Sequence, residues 1–316
     1  MQTPSQCRVS GETETQIRKY ILSQWTRLKN QESFPAPQPV SIERKDLYKL
    51  TRFKYVVAEK TDGDRYLLVF LKVGGTSKTC FLVDRKFCVY TVDTDIEGGT
   101  GTIFDGELVR EKNTQEFSYY VHDCVNAGGT NISNKHLPFR LDSARTYISS
   151  PGFAKPSNFK VFLKKMWPIE ELNKLLEFQK AVTHDVDGLI FTPVGLGIES
   201  GTQYSLFKWK CGDKHTIDFH VSFSGRRITM NLQEHGHLVK YKTLNTKLAN
   251  GRTFETCMAA LRPGHNFDGS ILECKLERGM FIPVRLREDK TLPNSLRTLE
   301  KTLLNIEENI TLEELC

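Results

Sequence analysis

Apolar residues recur along this chain at two spacings. Ile17, Ile21, Trp25 and Leu28 fall at i, i+4, i+8 and i+11, which predicts one amphipathic helix over Thr13–Leu28. Pro35, Pro37 and Pro39 then predict an extended linker, and Ser41 a cap for a short helix through Leu50. From Phe53 to Val125 the text changes to short β-rich runs: KYVVAE, RYLLVFLKV, TCFLVD, FCVYTV, TIFDGELV and FSYYVHDCV. Gly74-Gly75 and Gly98-Gly99 separate some of them as turns. Helical spacing returns at Asn134–Ile148 and at Pro168–Val182, where Pro168 suits a first helical turn. Two further strands are expected at 188–193 and 204–210.

After Gly212 come HTIDFHVSF, RRITMNL, GHLVKY, GSILECKLE and GMFIPVRLRE. Five short strands in about 80 residues predict a small barrel of the OB type. Ser295–Asn305 reads as helix. The expected division is an α+β unit over 1–212, with antiparallel sheets and flanking helices, and a barrel over 213–299. A C-terminal helix within 300–316 is expected to pack back on the first unit.

Composition narrows the class. With 316 residues, 39% hydrophobic and 26% charged, the chain has room for about two domains and the balance of a globular protein. The run Tyr66–Leu71 is too short to cross a bilayer, and the polar N-terminus does not resemble a secretory signal, so no membrane partner is expected. Eight cysteines without a C-x-x-C pair argue against a zinc ribbon or disulfide framework and for a reducing, intracellular compartment. The net charge of +6 is a mild hint of a polyanionic partner. Glu300, Glu307, Glu308, Glu313 and Glu314 make the tail acidic, which fits a solvated helix with Leu303, Leu304 and Ile306 turned inward.

No Walker A loop, H-E-x-x-H zinc motif or G-x-S-x-G elbow is present, and His235 and His237 stand as an isolated pair. The informative segment is Glu59-Lys60-Thr61-Asp62-Gly63-Asp64-Arg65, between two strongly apolar strands. A lysine there is either a turn residue or a nucleophile, and K-x-D-G alone does not decide. Phe104-Asp105-Gly106-Glu107-Leu108 places two carboxylates at the end of a strand, and Asp187 stands just before another. Lys208 and Lys210 alternate, so both amines project from one strand face. Lysine, cations and acids in one β-rich unit suit attack on a nucleotide α-phosphate assisted by a divalent metal.

The order K-T-D-G-x-R, V-D-R, F-D-G-E-L, D-G-L-I-F, F-K-W-K and R-x-D-K resembles that of the covalent nucleotidyltransferases: capping guanylyltransferases and ATP- or NAD-dependent ligases. Their fold is a ligase-type, ATP-grasp-like domain followed by an OB-fold. S-I-E-R-K-D at 41–46, T-I-D-F at 216–219 and the text at 300–309 are similar to the capping branch, especially the compact chlorella-virus type of large DNA viruses. The resemblance covers the chain from about residue 35 onward.

By this resemblance Lys60 attacks GTP, carries a covalent GMP and passes it to a 5′-diphosphate RNA end. Nearby cations such as Arg65, Lys208 and Lys210 are expected to disfavour the charged amine and to hold the phosphates. Glu59, Thr61, Asp62 and Gly63 fall in the nucleotide pocket, and Arg85 at a sugar or phosphate contact. Glu107 and Asp187 match the acids that bind ribose or a Mg²⁺ or Mn²⁺ ion. Asp218 matches an essential aspartate at the start of the barrel. Arg287, Asp289 and Lys290 match the motif that meets the β- and γ-phosphates. Thr61 and Lys165 fall where the family reads guanine O6. His122 stands where the family carries a stacking aromatic, which suggests pH-sensitive stacking.

The resemblance implies a monomeric enzyme without triphosphatase or methyltransferase domains. An RNA polymerase tail or other capping subunits are candidate partners, in a host nucleus or a cytoplasmic virus factory. An ATP-dependent polynucleotide ligase using the same lysine is the alternative, and a catalytically dead OB-fold nucleic-acid binder a third reading.

Overall fold

The computed structural model describes residues 8–315, apart from 26–27, 29–33, 75, 77–78, 93, 95, 97–98, 154–158, 225–226, 246–253 and 289. It divides into two compact units, one built on Asp46–Trp209 with the chain before Glu43, the other on Lys210–Leu315 with Glu43–Lys45.

The first unit runs α1 (Glu12–Ser23), β1 (Gln38–Ser41), α2 (Leu47–Arg52), β2 (Tyr55–Thr61), β3 (Asp64–Phe70), β4 (Cys80–Val83), β5 (Val89–Thr91), β6 (Thr102–Arg110), β7 (Phe117–Ala127), β8 (Thr130–Asn131), α3 (Leu137–Ile148), β9 (Lys160–Leu163), β10 (Trp167–Pro168), α4 (Leu172–Gln179), β11 (Val186–Pro193) and β12 (Thr202–Trp209). These strands form two sheets. One has the order β5-β4-β3-β6-β7-β8, with β9 beside β7; the other has the order β1-β12-β11-β2-β10. Pairing is antiparallel except for β1 with β12 and β9 with β7.

The apolar run in β3 follows from burial on both faces. Leu67 and Val69 pack with Ile17 and Ile21 of α1, whereas Leu68 and Phe70 pack in the core that takes Ala144 of α3. Helix α1 is shorter than its spacing predicts, with its C-cap at Gln24, yet Trp25 remains buried beyond it. Helix α3 starts at Leu137 because the His136 side chain accepts from the Phe139 N–H and Pro138 occupies the first turn. Pro168 pairs in β10 instead of opening a helix, and α4 begins at Leu172 after a 3₁₀ turn. Gly75 and Gly98, half of each expected glycine turn, lie outside the described residues.

The second unit contains β13 (Thr216–Ser224), β14 (Arg227–Glu234), β15 (His237–Asn245), α5 (Phe254–Leu261), β16 (Ile271–Glu277), β17 (Met280–Leu286) and α6 (Leu296–Glu308). The five strands form one antiparallel sheet in the order β15-β14-β13-β16-β17. The two end strands meet through side chains, with the Tyr241 and Phe281 rings 6.0 Å apart over Phe219. No hydrogen-bonded closure of the barrel is present among the described residues.

Leu299 of α6 is buried with Ile217, Leu232 and Phe281 of the sheet, and Leu296 and Leu303 pack on the same core. Lys301 also pairs with Glu43 at 2.5 Å, within the second unit. The apolar stripe of the helix is thus buried on the sheet of 216–286, while its Lys301 and Glu308 meet Glu43 and Arg44.

Candidate active site

A cleft of about 230 Å³ opens in the first unit, walled by residues of both sheets. Lys60 stands on β2 in its wall. Antiparallel pairing runs Val186 to Thr61, then jumps to Leu189 and Glu59, so Asp187 and Gly188 together oppose Lys60. Such a bulge re-aims a side chain. Here Asp187 Oδ1 lies 2.6 Å from Lys60 Nζ, with both side chains partly open to solvent.

The turn beyond Lys60 explains Gly63. A Cβ there would lie 2.5 Å from the Leu108 carbonyl and 3.0 Å from Glu107 Cγ. Only glycine lets this turn lie against β6, the strand that carries Glu107. Asp62 donates its backbone N–H to Asp185 O, and Asp64 starts β3 exposed.

Arg65 and Glu107 face each other across β3 and β6. Arg65 reaches the cleft as one side of a fork, with Nε 2.9 Å and Nη2 2.5 Å from the two oxygens of buried Asp105. It also donates to Pro37 O at 2.6 Å. Its charge is thus matched by Asp105 and not presented bare. Burial pushes the Glu107 carboxyl above the ordinary range, with Asp187 adding to the rise against Lys164, Lys60 and Arg65. Arg85 lines the cleft and donates to Gln38 Oε1 at 3.2 Å.

His122 also lines the cleft, with Nε2 3.3 Å from Asp105 Oδ1. Burial, reinforced by Arg65 and Lys164, lowers its pKa to about 4 despite Asp105 and Asp123. The imidazole is therefore neutral at ordinary pH, which corrects the expectation that stacking there titrates in the physiological range. Asp123 is held by Arg140 through two bonds of 2.7 and 2.9 Å.

Lys165 is a second correction. Its ammonium lies 4.9 Å from the Trp167 ring and 5.1 Å from the Phe178 ring, exposed and outside the cleft wall. Lys164 lines the cleft instead. Its N–H continues the β9–β7 pairing by donating to Val121 O, and neighbours on an extended chain point to opposite sides. Lys164 Nζ donates to Thr61 Oγ1 and lies 3.3 Å from Glu59 Oε1. All three residues are buried. Burial lowers the Lys164 pKa against the pull of Glu59 and Glu107. Burial alone would raise Glu59, but His184 and Lys164 hold it below the ordinary carboxylate range. Buried His184, with Nε2 3.7 Å from Glu59, was not singled out in the sequence, where nothing links it to a site some 120 residues earlier.

Lys208 on β12 belongs to the cleft wall. Lys210 follows the strand directly and groups with the second unit. Within that second unit Asp218 is buried and gathers two cations. Arg287 Nη1 lies 3.2 Å from each carboxylate oxygen, and Lys290 Nζ donates to Oδ2. Asp289 lies outside the described residues.

A half-open lysine bound to one carboxylate, with cations and a second acid around it, can exchange a phosphoryl bond. The motif order that suggested this extends through both units. The family description "mRNA capping enzyme, catalytic domain" matches residues 5–212, and "mRNA capping enzyme, C-terminal domain" matches residues 207–316. The chain belongs to the mRNA capping enzyme family. It is 26% identical to the mRNA-capping enzyme of Danio rerio over 96% of this chain and 51% of the relative. The mouse mRNA-capping enzyme is 28% identical over 89% of this chain and 49% of the relative. The mRNA-capping enzyme subunit alpha of Schizosaccharomyces pombe is 29% identical over 90% of this chain and 79% of its own length. The chain thus spans about half the length of its vertebrate capping-enzyme relatives. Among solved structures, a mycobacterial DNA ligase D complexed with ATP and MES aligns over 81% of this chain at 12% identity and a TM-score of 0.43. No described helix is long and apolar enough to cross a membrane.

Proposed function

We propose that the chain is a GTP:RNA guanylyltransferase. The observation that carries the reading is Lys60 in the cleft wall, 2.6 Å from Asp187 and on the same wall as Arg65, Glu107 and Lys208. In the first step the Lys60 amine, having lost a proton, forms an N–P bond to the α-phosphorus of GTP. The bond to the β-phosphate oxygen breaks and pyrophosphate leaves. In the second step a terminal phosphate oxygen of a 5′-diphosphate RNA attacks that phosphorus. The N–P bond breaks, the amine regains a proton, and a G(5′)ppp(5′)N end is released.

Asp187 is within proton-transfer reach of the amine. Lys208 is suited to hold phosphate oxygens, as are the two N–H donors that Arg65 keeps beyond its bonds to Asp105 and Pro37. In the second unit Asp218 keeps Arg287 and Lys290 together as a pair of cations suited to phosphate oxygens. An ammonium has three N–H donors, and Thr61 and Glu59 engage Lys164. A remaining donor suits the guanine carbonyl, whereas adenine would offer an amino group there. The neutral His122 ring is suited to lie against the base.

A divalent cation fits this donor set. Glu107 and Asp187 are two acids whose charges oppose each other. No group of three metal-binding side chains gathers among the described residues. Mg²⁺ commonly needs only one or two carboxylates when phosphates complete its shell. Mg²⁺ or Mn²⁺ held by Glu107 and Asp187 would offset triphosphate charge. The fungal relatives are named as alpha subunits, so a partner subunit is also part of the reading.

The test is covalent labelling. Incubation with α-labelled GTP and a divalent cation should leave label on the protein in a denaturing gel, and Lys60→Ala should carry none. Labelling from ATP alone would replace this reading with the ligase one. RNA binding without any adduct would leave only the dead-enzyme reading.

A further inference from the structure

A second depression in the first unit, of about 740 Å³, is larger than the cleft and shares Pro193 and Leu196 with it. Its lining is unlike a structural pocket. Phe53 is 57% exposed, Tyr204 62% and Leu196 46%. Lys54 lies in the wall with one acid, Glu199, while Lys49 of the same wall is paired with Asp46 at 2.7 Å. Arg52, beside it, holds its guanidinium 5.9 Å from the Phe53 ring. Large rings left open to water need a reason, because burying them elsewhere would stabilise the fold.

The groove is joined to the cleft along one strand. Both depressions take residues from β12, whose pairing with β1 slips between Gln203 and Phe207. Leu206 and Lys208 line the cleft, while Tyr204 lines the groove. The two depressions meet at Pro193 and Leu196, so a strand of a few nucleotides would reach from one into the other. Exposed ring faces interleaved with lysines are what single-stranded nucleic acid needs: bases stack on the rings, and phosphates meet the cations. Stacking is indifferent to which base arrives, which suits an acceptor whose sequence varies.

We infer that this groove, built on Phe53, Lys54, Leu196 and Tyr204, docks the first nucleotides of the single-stranded RNA whose 5′ end enters the cleft. The inference rests on the guanylyltransferase reading and adds to it the path of the acceptor. A peptide segment is the competing occupant, but Lys54 and the neighbouring Arg52 beside open rings favour a polyanion.

The two steps of the reaction separate the inference from the reading it rests on. Full-length protein, Phe53→Ala/Tyr204→Ala and Lys54→Glu are each loaded from labelled GTP, then chased with a 5′-diphosphate oligoribonucleotide. Adduct formation should stay within about twofold of wild type. The RNA concentration for half-maximal transfer should rise about tenfold for each lost ring, and Lys54→Glu should raise it less and flatten its salt dependence. Fluorescence anisotropy of the same RNA should weaken in parallel, and that arm decides the groove even if wild-type protein forms no adduct. Phe53→Leu/Tyr204→Leu keeps apolar cover without ring faces and should behave like the alanine pair; wild-type transfer and anisotropy from it would overturn base stacking on these rings. Unchanged half-saturation and unchanged anisotropy in the alanine pair would overturn the inference.

Discussion

Two lysine–carboxylate pairs occupy the same cleft in opposite surroundings. Lys60 meets Asp187 where both side chains touch solvent, at 21% and 18% exposure. Lys164 meets Glu59 at 6% and 3%, with buried His184 3.7 Å from the same carboxylate oxygen. Glu59 and Lys60 are consecutive on β2, so one strand supplies an acid to the buried pair and an amine to the open one. A buried ion pair has exchanged hydration for its partner and cannot give the partner up cheaply. The open pair can be separated by an incoming phosphate, because water and substrate replace what each group loses. The position of the pair in the wall, more than its length, marks which lysine can react.

The sharpest break of this comparison is to delete each lysine in turn. Lys60→Met should abolish adduct formation completely while changing the melting temperature by no more than a few degrees. Lys164→Met should act first on stability, besides removing the donor proposed for the guanine carbonyl. It strands Glu59 in the interior, at a cost of about 3–5 kcal/mol, read as a melting temperature lower by roughly 10 °C. Glu59→Gln/Lys164→Met should be more stable than Lys164→Met alone, since the uncompensated charge is gone. If Lys164→Met melts like wild type, the two pairs are equivalent and the distinction fails.

A smaller effect probes the open pair from its acid side. Asp187→Asn keeps the shape of the bulge and removes the charge. Adduct formation should slow by roughly a hundredfold, with stability nearly unchanged because the pair is partly solvated. Rapid-quench measurement at saturating GTP separates this from weaker nucleotide binding. A Km effect with an unchanged maximal rate would assign Asp187 to binding alone.

Much of this arrangement was legible beforehand, for reasons that residue chemistry makes plain. Lys60 stood out because a charged turn between VVA and YLLVF interrupts two buried strands. Gly63 and Glu107 are tied by packing that leaves a short motif in each segment. Lys164 was missed in favour of Lys165 because two adjacent lysines differ only in which side of the chain they leave, and that is set by pairing with Val121, some 40 residues away. Asp105 was visible as an acid on a strand, but its hold on both Arg65 and His122 depends on the register of β3, β6 and β7. Helix α6 shows the same limit in the fold: an amphipathic stripe says which face is buried and not what covers it. Helix α5 escaped because a short apolar stretch after 246–253 has too few turns to display a period.

The finest test concerns His122, which shares the cleft wall with both pairs. Its ring faces Asp105 and Asp123 as well as Arg65 and Lys164, and burial brings its pKa to about 4 from an ordinary value of 6.5. The sign follows from which state takes the proton first. As pH falls below about 6.5, the unfolded chain protonates while the folded ring does not, so stability is lost between about 6.5 and 4 and is level above that window. The full shift overstates the effect because a quarter of the side chain touches solvent. The expected loss is on the order of 2 kcal/mol across the window. His122→Phe should remove that slope, leave stability at pH 7.5 within about 1 kcal/mol of wild type, and tighten GTP by offering a larger ring to the base. Urea titrations at several pH values compare the two proteins directly. Parallel curves would mean that the ring protonates in the folded cleft as readily as in the unfolded chain, and that this part of the wall is as open as the Lys60–Asp187 pair.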